Sequence, residues 1–175
     1  MSEEQNKQPA TKKLGFYMVA AMWVLLLLLL SSYFSHWQNK QFNPNDSVSQ
    51  LVTDAGVKEV VLQRNRYGHY VASGTINDQG VVFMLDTGAS DISVPQHIAE
   101  RLGLQPGPVV MYSTANGTTE AYLTRLDRVA IGNISLHNVR AHINPNFDSD
   151  EILLGMTFLK HVEFSQKGDT LTLRQ

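Results

Sequence analysis

One aspartate in this chain is set up differently from its other acids. The run Val81-Val82-Phe83-Met84-Leu85 is apolar throughout and ends abruptly in Asp86, which Thr87 and Gly88 follow. Five consecutive apolar residues cannot keep one face in water, so the run predicts a strand buried on both faces. Such a strand delivers Asp86 to the edge of a core, where a carboxylate can exchange a proton with water and do general acid–base chemistry. Gly88 permits a tight turn and close approach of another chain, and the short Thr87 hydroxyl can hold that turn by hydrogen bonding. The plainer alternative is an ordinary turn in which Asp86 closes an Asx-turn after a core strand.

The remaining composition narrows the chemistry. No cysteine is present, which removes a disulfide framework and any Cys-ligated zinc site. His36, His69, His97, His137, His142 and His161 are scattered, with no HExxH pair, so neither a metal site nor a cofactor is expected and the histidines read as surface or satisfied core residues. Residues 48–175 hold ten lysines and arginines against thirteen acidic residues and no basic cluster, so nucleic acid is not an expected partner. Asn116-Gly117-Thr118 and Asn133-Ile134-Ser135 match the glycosylation sequon, but each is better explained as a tight hairpin turn.

The elements that must position Asp86 lie behind an apolar segment. With 175 residues, 43% hydrophobic and 17% charged, the chain fits one domain plus something apolar outside its core. Leu14–Phe34 is free of formal charge and includes six consecutive leucines, Leu25–Leu30, long enough for a membrane-spanning helix. Bulky Tyr33 and Phe34 follow the leucine run where a cleaved signal peptide would have small residues, so the segment reads as an uncleaved signal-anchor. Lys7, Lys12 and Lys13 precede it and only Lys40 lies close after it, which predicts a cytoplasmic N-terminus. The expected layout is a cytoplasmic 1–13, a transmembrane 14–34, a polar linker 35–50 with the turn cluster Asn43-Pro44-Asn45-Asp46, and a folded domain 51–175. That domain would lie in the periplasmic or other extracytoplasmic space, held to the inner (plasma) membrane by a single pass.

Short strands with regular turn signals dominate the domain: 58–63, 70–76, 81–85, 109–114, 119–131, 138–143, 152–154, 162–164 and 170–173. This spacing predicts an all-β barrel or sandwich. Asn77-Asp78-Gln79-Gly80 and Gly132-Asn133 read as hairpin connections. Val139, Ala141 and Ile143 alternate with Asn138, Arg140 and His142, which predicts a strand with one wet face. One short helix is expected, opened by Pro95 and stopped by Gly103, with Ile98 and Leu102 on its inner face. Val109–Glu120 reads as a hairpin whose tip is Asn116-Gly117, the pair that most readily adopts a type I′ turn. Ile152-Leu153-Leu154-Gly155 is another buried strand, ending in a glycine that suits close backbone packing.

Taken in order, these segments resemble the retropepsins, the single-lobe aspartic proteases of the pepsin clan, and especially their membrane-anchored bacterial members. The resemblance covers about residues 55–175: MLDTGAS around Asp86, TANGT at Thr114, Ala115, Asn116, Gly117 and Thr118, and LLGMTFL from Leu153. It implies a closed retropepsin-like barrel with one or two short helices, preceded by the transmembrane helix. It also implies that Asp86 is catalytic, that Thr87, Gly88 and Ala89 support the active-site loop, and that Thr87 bonds across a two-fold axis while Gly88 meets the substrate backbone. Residues 114–118 would form a flap over substrate, Leu153, Leu154 and Gly155 would pack beneath the loop, and the strand from Thr170 would form the dimer contact. Ser90 departs from the viral pattern, where a second acid often stands.

Peptide hydrolysis by this class needs two carboxylates on one water, one ionised and one protonated. The chain has a single Asp-Thr-Gly, because Asp46, Asp54, Asp148, Asp150 and Asp169 lack the following turn. The resemblance therefore implies a homodimeric endopeptidase, with Asp86 from each protomer meeting on the two-fold axis and a peptide or protein substrate between floor and flap. Two rivals remain beside it. One is a catalytically silent barrel that binds a peptide through the same groove, which the intact Asp-Thr-Gly disfavours. The other is a structural membrane subunit, which leaves the hairpin and the Leu-Leu-Gly segment unexplained.

Overall fold

The computed structural model describes residues 8–53, 56–114 and 117–175. The chain divides into two units, Met1–Asn39 and Lys40–Gln175. The described residues of the first, from Gln8, belong to helix α1, Gln8–Phe42, which runs past the expected end of the span and on through the first part of the expected linker. Its leucines, Leu25–Leu30, are exposed on every side of the helix, the pattern of a helix whose solvent is not water. By length and composition, Lys13–Phe42 is able to cross a membrane.

The second unit is almost entirely β. Its strands are β1 (Ser49–Val52), β2 (Lys58–Gln63), β3 (Val71–Ile76), β4 (Gln79–Leu85), β5 (Ile92–Pro95), β6 (Val109–Thr114), β7 (Gly117–Ile131), β8 (Ile134–Asn144), β9 (Ile152–Leu154), β10 (Glu163–Lys167) and β11 (Thr170–Arg174). Helix α2 (Gln96–Arg101) follows β5, and α3 (Met156–Leu159) follows β9. Seven strands form one sheet in the order β3-β4-β9-β5-β8-β7-β6. A further pairing of β3 with β7, Thr75 to Ala130 and Ile76 to Val129, closes six of them into a barrel and leaves β6 outside as the free arm of a hairpin. The closure needs Gly74, since a Cβ there would lie 2.4 Å from the Ala130 carbonyl oxygen and 2.7 Å from the Phe83 ring. Phe83, Ile92, Leu126, Ile131, Ile152, Leu154 and Phe158 fill the interior without solvent exposure.

Turn chemistry follows the local sequence. Asn77 and Asp78 both have positive φ, 49° and 64°, and form a two-residue connection between paired Ile76 and Gln79. Gly132, with φ 55°, and Asn133 form the two-residue connection between Ile131 and Ile134. Two strands were not foreseen: β1, which straddles the end of the expected linker at residue 50, and β5, whose four residues Ile-Ser-Val-Pro run straight into α2. The helix opens after Pro95, its N-cap, as expected.

Two segments, the expected linker and the terminal strand, are built into the domain. The expected linker does not end as a free tether, because Asn45, 4% exposed, is built into the domain. Its amide donates to the carbonyls of Gln63 (2.9 Å) and Val71 (2.7 Å) and its Oδ1 accepts from Gln63 N–H (2.7 Å), stitching β2 to β3. The terminal strand is not an open edge either. A second sheet has the order β1-β2-β11-β10, so β11 is paired along both sides within its own chain. Leu171 and Leu173 alternate inward with Val60 and Leu62 of β2, each such side chain contributing about 1.5–3 kcal/mol by burial. The open edges of that sheet are β1 and β10, every residue of which is exposed.

Candidate active site

Strand β4 sits between β3, antiparallel, and β9, parallel, with Val81 and Phe83 in the core and Val82, Met84 and Leu85 half-buried. The run is thus covered on both faces, one more completely than the other. Its last pair is Leu85 with Leu154. Immediately beyond, Asp86 N–H donates to the Leu154 carbonyl at 3.2 Å and the chain turns. Asp86 Oδ1 accepts the Gly88 N–H at 2.8 Å and its carbonyl accepts the Ala89 N–H at 3.2 Å, an Asx-turn that fixes the carboxylate. Asp86 is half-buried, whereas Thr87, Gly88 and Ser90 are exposed, so the loop presents the acid at the rim of the core.

The floor beneath this loop is Leu154-Gly155 and the start of α3. A Cβ on Gly155 would lie 2.3 Å from the Asp91 carbonyl oxygen and 2.5 Å from that of Ala89, so only glycine lets the two backbones approach this closely. The first N–H groups of α3, which have no partner within a helix, donate to the loop: Met156 to Ala89 O (2.8 Å) and Thr157 to Ser90 O (3.1 Å). Thr157 Oγ1 accepts the Ile92 N–H at 3.1 Å. The structure therefore brings Asp86, Gly88, Ala89, Leu154 and Gly155 together, with Leu153 half-buried beside Met84 on the neighbouring strand.

The expected flap is the β6–β7 hairpin. Thr114 pairs with Gly117 and Ser113 with Thr118, so Gly117, half of the expected Asn116-Gly117 tip, lies in the ladder. Ala115 and Asn116 lie outside the described residues. Gly117, with φ 114°, is the first residue of β7.

Residues 72–161 match the family described as "gag-polyprotein putative aspartyl protease". The chain belongs to the retropepsin-like aspartic protease family. It is similar to the crystal structure of a retropepsin-like aspartic protease from Rickettsia conorii, at 31% identity and a TM-score of 0.55, over 73% of this chain and 94% of that one. An uncharacterized protein in the cobV 5′ region of a Sinorhizobium species is 32% identical over 166 residues, 88% of this chain and 71% of its own length. Uncharacterized protein RP867 of Rickettsia prowazekii is 29% identical over 147 residues, 80% of this chain, which spans 63% of that relative's length.

Four polar residues of this retropepsin-like domain escaped the sequence reading. Asp91, on the same loop as Asp86, is 1% exposed and accepts from Arg140 through Nε (3.1 Å) and Nη2 (2.8 Å) at Oδ1 and from the Tyr112 hydroxyl (2.6 Å) at Oδ2. The Tyr112 ring stacks on His142, centroids 4.0 Å apart at 25°. His142 is a further correction: its position in the alternation of β8 predicted a wet face, but it is 7% exposed because Tyr112 lies over it. The available signal was an acid at position 91 directly before the β-branched Ile92 and Val94, where a surface loop would be expected to continue. Burial and then the Asp91 hydrogen bond push the Tyr112 hydroxyl up to about 12, and the Asp91 bond raises Arg140 above its ordinary value.

Burial lowers His142 below its ordinary 6.5, although Asp91 pulls the other way, and its Nδ1 has no hydrogen-bond partner among the described residues. The unfolded chain therefore takes up a proton near pH 6.5 that the folded chain resists. Stability from this group is full above that pH and declines as pH falls below it. Thermal unfolding from about pH 7.5 to about pH 5 is expected to show a smaller drop in Tm for His142→Leu than for wild type, and an equal drop would contradict the assignment.

Proposed function

We propose that two copies of the chain form one aspartic endopeptidase site, in which the Asp86 carboxylates share a proton and activate a water against a peptide bond. The observation that carries this is the setting of Asp86: a half-buried acid at the end of a core strand, in a fixed turn laid on a Leu-Gly floor, within a family of aspartic proteases. Two carboxylates in contact cannot both ionise cheaply, so one stays protonated to polarise the carbonyl while the other takes a proton from water. Substrate lies as an extended strand beneath the β6–β7 hairpin, gaining main-chain hydrogen bonds and losing water. Thr87, exposed beside Asp86, faces the second protomer, and Gly88 lets the substrate backbone approach. Because β11 is internal, the protomers meet through the active-site loops and through surfaces other than that strand.

Helix α1 anchors the enzyme in the inner (plasma) membrane, N-terminus in the cytoplasm and the protease domain outside, in accord with the lysines that precede the span. Confinement to a membrane raises the effective concentration of protomers, so a weak interface suffices. The test uses the full chain in mixed micelles with an unstructured protein as substrate. Specific activity is expected to rise with protein per micelle, and excess Asp86→Asn protomer is expected to poison wild type by forming one-carboxylate heterodimers. Specific activity that stays constant down to a demonstrated monomer would sink the shared site.

A further inference from the structure

We propose that Tyr112, Asp91 and Arg140 are positioning residues that latch the β6–β7 hairpin to the active-site loop and so set its height over bound substrate. The proposal rests on reading that hairpin as the substrate cover. A carboxylate as buried as Asp91 is costly unless its charge and its lone pairs are both met. Here they are met from two different elements. Oδ1 takes both bonds from Arg140, on β8 in the barrel wall, and Oδ2 takes the hydroxyl of Tyr112, on the hairpin arm. Lifting the hairpin therefore breaks one O–H···O bond and the Tyr112–His142 stack while Asp91 keeps its charge partner.

The other side of the latch is rigid. The Asp91 carbonyl lies against Gly155, and the next residue, Ile92, donates its N–H to Thr157. Asp91 is thus held by the same floor that holds the Asp86 turn. Tyr112 pairs with Thr119 in the hairpin and stands two residues before Thr114, the end of β6. A bond there restrains the outer half of the hairpin rather than its root. Val109 and Met111, which flank this part of the arm, are 55% and 61% exposed, so little apolar burial from them competes with the latch.

Tyr112→Phe tests this, because it keeps the ring on His142 and deletes only the hydroxyl. In the full chain in detergent micelles without substrate, amides of Val109–Tyr112 and Thr118–Leu123 are expected to exchange hydrogen about tenfold faster than in wild type, with β2 and β11 unchanged. With an unstructured protein as substrate, KM is expected to rise about tenfold and kcat to stay within about twofold, since a latch that serves substrate and transition state alike contributes uniform binding. Unchanged hairpin exchange overturns the latch whatever the activity. Faster exchange with unchanged KM overturns the positioning role and leaves a packing contact. A wild-type chain that cleaves nothing removes the endopeptidase reading and the role in positioning substrate with it, whereas the exchange result stands or falls independently.

Discussion

Asp86→Asn is expected to lower peptide hydrolysis by about 10³-fold while leaving the fold close to wild-type stability. The amide is nearly isosteric and retains an oxygen for the Gly88 N–H, so the Asx-turn survives the exchange. What it lacks is a group that can pass between ionised and protonated forms, and a dyad built from two amides has neither the base for water nor the acid for the carbonyl. Asp86 is only half-buried and makes no ion pair among the described residues, so the change in stability is expected to stay within about 1 kcal/mol. Cleavage rates and Tm, measured on the same preparations, separate the two effects. A variant that cuts as fast as wild type would remove Asp86 from the chemistry.

Gly155→Ala is expected to be the most destabilising single-methyl change in the domain. The added carbon would meet two backbone oxygens, at 2.3 Å and 2.5 Å, and backbone held by hydrogen bonds to α3 has no rotamer to turn aside. The loop must lift off its floor, which costs about 3 kcal/mol and lowers Tm by about 10 °C. Activity should fall further than stability, because the displaced segment includes the Asp86 turn. Gly80→Ala is the control: no atom lies within 4 Å of a Cβ there, and the change should be neutral to within about 0.5 kcal/mol. Equal effects at the two glycines would show that the floor does not constrain the loop as its geometry implies.

Chemistry written in neighbouring residues was legible before the structure. The apolar run into Asp86-Thr87-Gly88, the Asn77-Asp78 and Gly132-Asn133 turns, the helix after Pro95 and the long leucine-rich helix depend on periodicity, φ preference and local hydrogen bonding. Each of these acts over a few residues, and the chain states them directly. Gly117 was read as part of the hairpin tip because Asn-Gly is such a favourable turn pair that propensity alone put it there. The strand register instead pairs Gly117 with Thr114.

The tertiary structure decided what depends on neighbours distant in sequence. Arg140 is exposed as the alternation of its strand predicted, but His142 on the same face is covered, and only the packing of Tyr112 from another strand shows this and shows that Asp91 is neutralised beside it. Whether a polar side chain is buried depends on what lies above it, and sequence periodicity says only which face it is on. The terminal strand, β11, follows the same logic: alternation identified a strand, but whether its edge is open or paired is set by β2 and β10, which the sequence does not place. Asn45, in a stretch that composition reads as linker, became a fastening between two strands because buried carbonyl and N–H groups of β2 and β3 needed partners that their own ladders did not supply.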